Sequence, residues 1–557
     1  MIRKIAITAT AMACATLGIL GVGMASASSA KPTILTEESN VGVTFTNNFN
    51  PFNAASLAGQ MNLKSFTYEP LFEFDTLKAN TQYPWLATKY TWSNGGKTLT
   101  FALRHGVKWS DGKPFTAADV AYTFNLIAEN PAANYSGVPA LSNAAIAKGN
   151  YTVVLNFTTP AYQDITNIAG STLIVPEHVW SKISNPATAT ITKPIGTGPY
   201  TLKSYSSTLV EYARNPKYWG GKPAASQVNI PYYSSNQAAT TALANGQLQW
   251  AGNEIADLNA VFVSKDPKTN HYFYAPGSTV TLEFNTTGTG PLSDPAVRAA
   301  ISAGIDRSAL STEGELGYEL PATSTSALIL PAQGSYLPST LANDIQPTSN
   351  AAKVSSILTA DGYAKNGAGM WAKNGQEISF TVEDPTAYSD YYADDQLMSN
   401  ELQAVGINCT VDGVQASQWY SDLAAGTFQT AIHWGAGGSN PFVQYQNWLD
   451  YNTFVAPSPT NASADFGRYQ NAAAQTALTT LETTNPSNSA AVKSAIATLG
   501  NLMSTQVPDA PLLYGADWDV YSTAHFTGWV TPSNQYMDPS PSDPALPIIL
   551  MHLKVVK

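Results

Sequence analysis

Four segments of the sequence place a tryptophan beside Gly, Asn or Asp: QWAGN (249–253), HWGAGGSNP (433–441), QNWLD (446–450) and GADWD (515–519). An indole ring in such a setting can act as a stacking platform in a cleft, while amide side chains orient a ligand through hydrogen bonds. An ordinary, partly buried tryptophan is the alternative interpretation of each segment. The repeated pattern favours ligand binding by stacking and hydrogen bonding.

The sequence lacks the residue spacings typical of catalytic and metal sites. No two of the six histidines have the i, i+4 spacing of a zinc-binding helix, and there is no G-x-S-x-G elbow. GGKT (95–98) is not a phosphate loop, because Thr91 stands where the early glycine is needed. Spatial pairs of acids, as in glycosidases, cannot be read from a sequence. We therefore predict no catalytic residue, no metal and no cofactor, with a secreted hydrolase as the alternative class.

Length and composition point to several lobes and a polar, weakly charged surface. The chain has 557 residues, more than one hydrophobic core usually supports. Charged residues make up 12% and aromatic residues 11%, which is typical of secreted or cell-envelope proteins rather than cytosolic ones. The net charge of −11 argues against a polyanionic partner, so we expect no nucleic-acid binding.

The N-terminus has the three parts of a secretory signal peptide. Arg3 and Lys4 precede an apolar run over 5–24, and ASASSA (25–30) offers small residues for cleavage. We predict a signal peptide over residues 1–30 and secretion to the periplasm or the outer face of the membrane. An uncleaved anchor and lipid attachment at Cys14 are the less favoured alternatives. Removal of Cys14 with the signal leaves Cys409 alone, which precludes an intramolecular disulfide.

The remaining sequence alternates strand and helix patterns. KTLTFAL (97–103) alternates apolar and polar residues as a half-buried strand does. Thr116 and Asp119 have the spacing of a capping box, and Phe115 and Val120 that of a hydrophobic staple, so a helix should begin there. We expect this region to be scaffold rather than chemistry.

Two further patterns predict α/β packing. A helix over 293–310 should begin with Asp294 as its cap. The segment 378–384 should form a strand, and 396–413 a helix that ends at Gly406 and continues into a strand.

Several long motifs occur in an order that resembles the family 5 extracytoplasmic solute-binding proteins, the oligopeptide- and dipeptide-binding components of ABC importers. The motifs are YEPLF (68–72), the signature region 84–124, IGTGPYTLKSY (195–205), RNPKYWGGKP (214–223), LEFNTTGTGPLSDPAVRAAISAGIDR (282–307), AAKVSSILTADGY (351–363) and AVGINCTVDGV (404–414). The resemblance covers most of residues 40–530. It implies a carrier that binds and releases its solute unchanged.

The resemblance also implies the architecture: an α/β, type II periplasmic-binding-protein fold of three lobes. Lobe I would comprise 31–54, 191–285 and 516–557, lobe II 55–190, and lobe III 286–515. The ligand would be enclosed between lobes I and III by hinge closure. The partners would be a small-molecule solute and membrane permease subunits, and the protein would act as a monomer.

The class of solute stays open between an oligopeptide, the family default, and an oligosaccharide similar to cello-oligosaccharides. Peptide-binding relatives place an Asp for the α-ammonium in the segment that corresponds to 432–448, which contains no acid here. Gly437, Gly438, Ser439 and Asn440 stand there instead, which favours an uncharged or weakly charged solute. A sensor or adhesion module with the same fold is a further alternative. The residues predicted to line the cleft are Trp250, Asn253, Trp434, Asn440, Trp448 and Trp518, with Tyr445 and Asp517 as weaker candidates.

Overall fold

The strand Ile34–Glu38 lies in the middle of the largest, seven-stranded sheet of the protein. The structure is a computed structural model, and it describes residues 33–556 except 54–55, 135, 387, 436–437, 439 and 452–464. The predicted signal peptide (1–30), Gly437 and Ser439 lie outside the described residues. The strand pairs in parallel with a neighbour on each side. In spatial order the seven strands are Asn270–Tyr272, Val520–Ser522, Trp250–Ala251, Ile34–Glu38, Gln227–Pro231, Leu209–Arg214 and Tyr200–Tyr205.

A second, six-stranded sheet contains the predicted strand–helix–strand unit. Ser379–Pro385 and Asn408–Val414 pair in parallel, and helix Ser389–Val405 connects them. Gly406 ends this helix with φ +92°, a conformation that favours glycine, so this prediction is confirmed. In spatial order the sheet consists of Leu320–Pro321, Asp509–Tyr514, Val280–Phe284, Thr430–Trp434, Ser379–Pro385 and Asn408–Val414.

The predicted scaffold region builds a third, four-stranded sheet and its helix. Strand Thr98–Leu103 buries every second side chain, and helix Ala117–Glu129 begins with the predicted capping box, in which the Thr116 amide donates to Asp119 Oδ2 over 2.9 Å. In spatial order the strands are Ala87–Ser93, Thr98–Leu103, Thr152–Asn156 and Ile146–Ala147. This region contributes a core rather than reactive groups, as predicted.

Smaller elements complete the described part of the chain. The other helices of seven or more residues are Asn236–Ala244, Pro295–Gly304, Ala351–Ala360, Ala416–Ala425, Pro441–Leu449, Ala472–Thr483, Ser489–Gln506 and Leu546–His552. The small sheets are formed by Phe72–Phe74 with Gln82–Pro84, by Ala275–Pro276 with Ala516–Asp517, by Phe526–Thr527 with Lys554–Val555, and by Ala364–Lys365, Trp371–Lys373 and Gln376–Glu377. No described helix combines the length and apolar character of a membrane-spanning segment.

The helix predicted over 293–310 is shorter than expected. Asp294 caps it as predicted, since Oδ1 accepts from the Ala296 amide over 2.9 Å, but the helix Pro295–Gly304 ends six residues early. Ile305 is extended, and Asp306 caps a new short helix, Arg307–Ala309. The apolar periodicity continues across this break, which is why the pattern concealed it.

Each large sheet has its own hydrophobic core, which bears on the predicted lobes. Buried side chains of the four-stranded sheet's core come from 52–180, and those of the six-stranded sheet's core from 280–513. The seven-stranded sheet packs with residues of 35–66, 200–250 and 521–553. Residues 57–66, predicted to belong to lobe II, therefore pack with the core of the seven-stranded sheet. Strand Val280–Phe284, predicted to belong to lobe I, packs with the core of the six-stranded sheet. The three-lobe division itself stays a prediction.

Two chain segments connect the seven-stranded and six-stranded sheets side by side. Strand Ala275–Pro276 lies in the first segment and strand Ala516–Asp517 in the second, and they pair antiparallel. Gly277 permits their close approach, because a Cβ at this position would lie 1.8 Å from Asp517 Oδ2. We call this two-stranded element the crossing ribbon.

Three of the motifs that carry the family resemblance meet at one buried carboxyl group, Glu69. Its Oε1 accepts hydrogen bonds from Trp85 Nε1 (2.8 Å) and Tyr218 Oη (3.0 Å), and its Oε2 from Trp219 Nε1 (2.9 Å). The Arg104 guanidinium lies over the Trp219 ring, 4.2 Å from its centroid. Burial raises the pKa of Glu69 to about 7. YEPLF, the signature region and RNPKYWGGKP thus form one junction.

Candidate ligand-binding site

A cavity of about 730 Å³ lies beside the crossing ribbon. Gly277 and Ser278 line it from the first connecting segment, and Gly515 to Trp518 from the second. Further lining residues come from the seven-stranded sheet side, from strand Phe72–Phe74 and segment 166–171, from helix Ser389–Val405 and from the C-terminal segment 538–545. The volume is in the range of small-molecule sites, and its position between two sheets is typical of a ligand cleft.

Four of the eight predicted site residues line this cavity: Asn253, Trp434, Asp517 and Trp518. Trp434 is half-buried and stacks on His433, with ring centroids 4.8 Å apart and 4° between the planes. The ring of Trp518 packs edge-to-face against Tyr274 at 4.7 Å. Both indoles are therefore held in fixed orientations at the cavity wall.

The other four predicted residues, Trp250, Asn440, Tyr445 and Trp448, do not line the cavity. Trp250 is fully buried under the seven-stranded sheet, where its Nε1 donates to Asp519 Oδ1 over 2.7 Å. Tyr445 and Trp448 belong to a helical core, and Tyr445 Oη donates to the Ser326 carbonyl over 2.9 Å. These side chains are packing residues, so their assignment to the lining is corrected.

Asn440 has a structural role that its sequence context could have indicated. It caps helix Pro441–Leu449, with Oδ1 accepting from the Phe442 amide over 2.9 Å. Its Nδ2 donates to Gln163 Oε1 over 2.6 Å, so both ends of the amide are engaged within the protein. Asn followed by Pro is a common helix start, and this signal was present in the sequence.

Six carboxyl side chains line the cavity, and no Lys, Arg or His does so among the described residues. The sequence analysis expected an uncharged or weakly charged solute and amide groups at the wall. In the structure, acids from distant parts of the chain lie on one surface. The expectation rested on segment 432–448, which contains no acid, so this acidic surface was not predicted. The six are Glu73, Glu254, Asp390, Asp517, Asp538 and Asp543.

Burial and mutual proximity perturb these acids. Burial, followed by the nearby Asp538, raises the pKa of Asp517 and of Asp543 well above the usual range. Burial also raises the pKa of Glu73, with Asp543 as the next contribution, and raises that of Glu254 to about 7. Each shift means that the protein surroundings provide too little positive charge for the ionised carboxylate.

Several lining residues were not singled out from the sequence. Aromatic rings come from Phe74, Tyr388 and Tyr391, and hydroxyl groups from Ser540 and Ser542. The last two belong to DPSPSDP (538–544), whose Pro, Ser and Asp content signals a loop but no function. Within the described residues, no group of three or more His, Cys, Asp or Glu side chains has an arrangement suited to a metal ion.

Residues 81–455 match the family model of bacterial extracellular solute-binding proteins, family 5. The chain belongs to this family. The predicted family is confirmed, and with it the binding of a small solute outside the cytoplasm. Members of family 5 are transport binding proteins rather than enzymes.

This family 5 protein is similar to curated proteins, one of which is named for the solute it binds. It is 28% identical to the nickel-binding periplasmic protein of Escherichia coli over 74% of this chain and 76% of that protein. It is 30% identical to Protein XP55 of Streptomyces lividans over 58% of this chain, and the match spans only 57% of Protein XP55.

Solved structures confirm the predicted periplasmic-binding-protein fold. An oligopeptide ABC transporter periplasmic oligopeptide-binding protein of Thermotoga maritima, bound to mannohexaose, superposes with a TM-score of 0.80 at 25% identity, over 94% of this chain and 99% of that chain. The oligopeptide-binding protein AppA of Bacillus subtilis, in complex with a nonapeptide, has a TM-score of 0.71 at 18% identity, over 95% of this chain and 100% of that chain. The predicted role in an ABC importer agrees with these names.

Proposed function

We propose that this family 5 protein captures an oligopeptide-class solute in the cavity beside the crossing ribbon and delivers it to an ABC permease. The observation that carries this proposal is the cavity itself, which lies between two separate sheets and carries aromatic rings beside carboxyl groups. Carboxyl groups from outside segment 432–448 would supply the partner that a peptide ammonium needs.

We further infer that the cavity closes around its solute by rotation about the crossing ribbon. Only the segments around Ala275–Pro276 and Ala516–Asp517 need to change their backbone angles, because each large sheet keeps its own core. In this view the three cores are the three lobes, with segment 57–66 assigned to lobe I and Val280–Phe284 to lobe III. The protein would act as a monomer, since the solute is enclosed within one chain.

A binding screen tests the proposed function. Melting temperature would be measured against alanine peptides of three to six residues, and against mannohexaose and cello-oligosaccharides. Peptide binding should raise the melting temperature, because a ligand that binds only the folded state stabilises it. Small-angle scattering of the bound protein should show a smaller radius of gyration. A chain that responds to none of these solutes would contradict the proposal.

Replacement of Trp434 by alanine should weaken solute binding. The half-buried ring lies at the cavity wall and is already held by stacking on His433, so its loss removes an ordered contact surface. Loss of one aromatic contact of about 1.4 kcal/mol corresponds to a roughly tenfold higher Kd, measurable by calorimetry. Trp92→Ala, on the four-stranded sheet away from the cavity, is the matched control and should leave Kd unchanged.

An oligosaccharide is the second candidate solute. Trp434, Trp518 and Tyr391 place aromatic rings at the wall, and sugars bind to aromatic rings by stacking. The related Thermotoga maritima protein was crystallised with mannohexaose. A response to mannohexaose alone in the screen would favour this candidate.

We propose that the solute leaves the protein unchanged. The hydrolase alternative requires converging acids, and the cavity contains six, so the two functions must be separated by experiment. Prolonged incubation with peptide or mannohexaose, followed by mass spectrometry, should recover intact solute. Accumulation of fragments that depends on Asp517 or Asp538 would instead support a hydrolase.

A further inference from the structure

Four of the cavity acids form one cluster, which we call the carboxyl cluster: Glu73, Asp517, Asp538 and Asp543. Glu73 comes from strand Phe72–Phe74, Asp517 from the crossing ribbon, and the other two from the C-terminal segment. Asp538 is held in place, since its Oδ2 accepts from Thr76 Oγ1 over 2.5 Å and its Oδ1 from the Ser540 amide over 3.0 Å. Three distant parts of the chain thus converge on one wall.

Three buried oxygen atoms at the cavity wall, Glu73 Oε1, Asn253 Oδ1 and Asp517 Oδ2, have no hydrogen-bond donor in the described part of the chain. Glu73 is only 2% exposed, and its Oε1 has no partner in the described part of the chain. Asn253 is 6% exposed, and its Oδ1 likewise has none, although its Nδ2 donates to the Glu254 carbonyl. Buried acceptors are normally satisfied, so these atoms indicate a ligand that supplies N–H or O–H donors.

The groups that face the carboxyl cluster from neighbouring elements are mostly acidic. Glu69 lies near Glu73, Asp75 near Asp543, and Glu319 near Asp517. A cation also lies nearby: Lys78 interacts with Asp75 and donates to the Gln535 carbonyl, and it does not line the cavity.

We propose that the solute presents an ammonium or guanidinium group to the carboxyl cluster, an inference that rests on the cavity being the solute site. Such a group supplies both the missing donors and the missing positive charge. A hydroxyl group would supply donors only and would leave the carboxylates uncompensated.

Binding of a cationic solute should be coupled to the release of protons from the carboxyl cluster. A positive charge favours the ionised carboxylates, so its binding should release protons from the cluster. Affinity for a cation should therefore increase between pH 5 and pH 8. A neutral solute should show no such increase, because it gains nothing from ionisation.

The experiment compares two peptides that differ only in charge. N-acetyl-Lys-Ala-Lys-amide carries two cations and no charged termini, and its counterpart with both lysines acetylated carries none. Titration calorimetry in buffers of different ionisation enthalpy gives affinity and proton release for each. We expect at least tenfold tighter binding of the charged peptide at pH 8, with proton release. Glu73→Gln and, as a second variant, Asp538→Asn should each reduce that preference, whereas the exposed control Glu129→Gln should not.

The outcomes separate this inference from the proposed function. Equal binding of both peptides without proton release would overturn the cationic solute while leaving peptide binding intact. Binding of spermidine, without binding of the charged peptide or of alanine peptides, would support the cationic group and contradict the oligopeptide class. Binding of nickel chloride that spermidine cannot displace would overturn the inference in favour of a metal ion.

Discussion

The melting temperature of this protein is expected to fall by roughly 10 °C or more between pH 4 and pH 8. Burial raises the pKa of several carboxyl groups, to about 7 for Glu38 and Glu69 and to about 8 for Asp384, Asp509 and Glu319. In the unfolded chain such groups titrate near pH 4. The folded state therefore binds more protons, and its stabilisation is complete below pH 4 and decreases as pH rises through 7 and 8.

The magnitude follows from the size of the shifts. A shift of about three pKa units corresponds to ~4 kcal/mol for one group. The groups interact, so their effects do not add, but all of the shifts have the same sign. The increase in negative charge on a chain of net charge −11 acts in the same direction. Calorimetric melting at fixed ionic strength from pH 4 to pH 8 measures the effect, and a flat or rising profile would refute it.

Glu37 provides a single-residue version of this prediction. It lies on the central strand Ile34–Glu38, it is 1% exposed, and neither side-chain oxygen has a partner in the described residues. Burial, with Glu38 as a neighbour, raises its pKa. Glu37→Gln should therefore stabilise the protein at pH 8 and have little effect at pH 4. The exposed Glu129→Gln should change neither value.

Replacement of Glu69 by alanine should destabilise the protein by about 4 kcal/mol at neutral pH. The change removes the acceptor of three side-chain donors, from Trp85, Tyr218 and Trp219, and leaves a cavity at a fully buried position. Denaturant unfolding measures the free energy. Tryptophan fluorescence should also shift, because two of the donors are indoles.

The conservative change at this position separates hydrogen bonding from packing. Glu69→Gln retains one oxygen acceptor and the side-chain volume, so it should cost about half as much as Glu69→Ala. Glu129→Ala, at the exposed end of helix Ala117–Glu129, is the control and should be neutral. Equal stability of Glu69→Ala and the unmodified protein would show that the three donors do not depend on Glu69.

Local chemistry made much of the fold predictable. The capping box at Thr116 and Asp119 and the glycine stop at Gly406 act within a few residues, so the sequence displays them fully. The order of motifs also predicted the family. The break after Gly304 was hidden because Ile305 and Leu310 continue the apolar pattern of helix Pro295–Gly304.

The binding site was less predictable from the sequence, because it depends on contacts between distant parts of the chain. Trp434 and Trp518 line the cavity while Trp250 and Trp448 are packed in cores, although all four have similar polar neighbours in the sequence. Burial is decided by which sheet a segment joins. The six carboxyl groups come from five separate regions of the chain, and only the tertiary structure brings them together.

The fully buried thiol of Cys409 makes this protein convenient for fluorescence labelling. The thiol is unreactive, since burial raises its pKa to about 12. In a protein produced without residues 1–30, which contain Cys14, maleimide dyes would therefore react only with engineered thiols, for example at the exposed positions Lys222 and Lys353 on opposite sides of the crossing ribbon. Single-molecule energy transfer between the two dyes would then test the proposed closure by following individual opening and closing events.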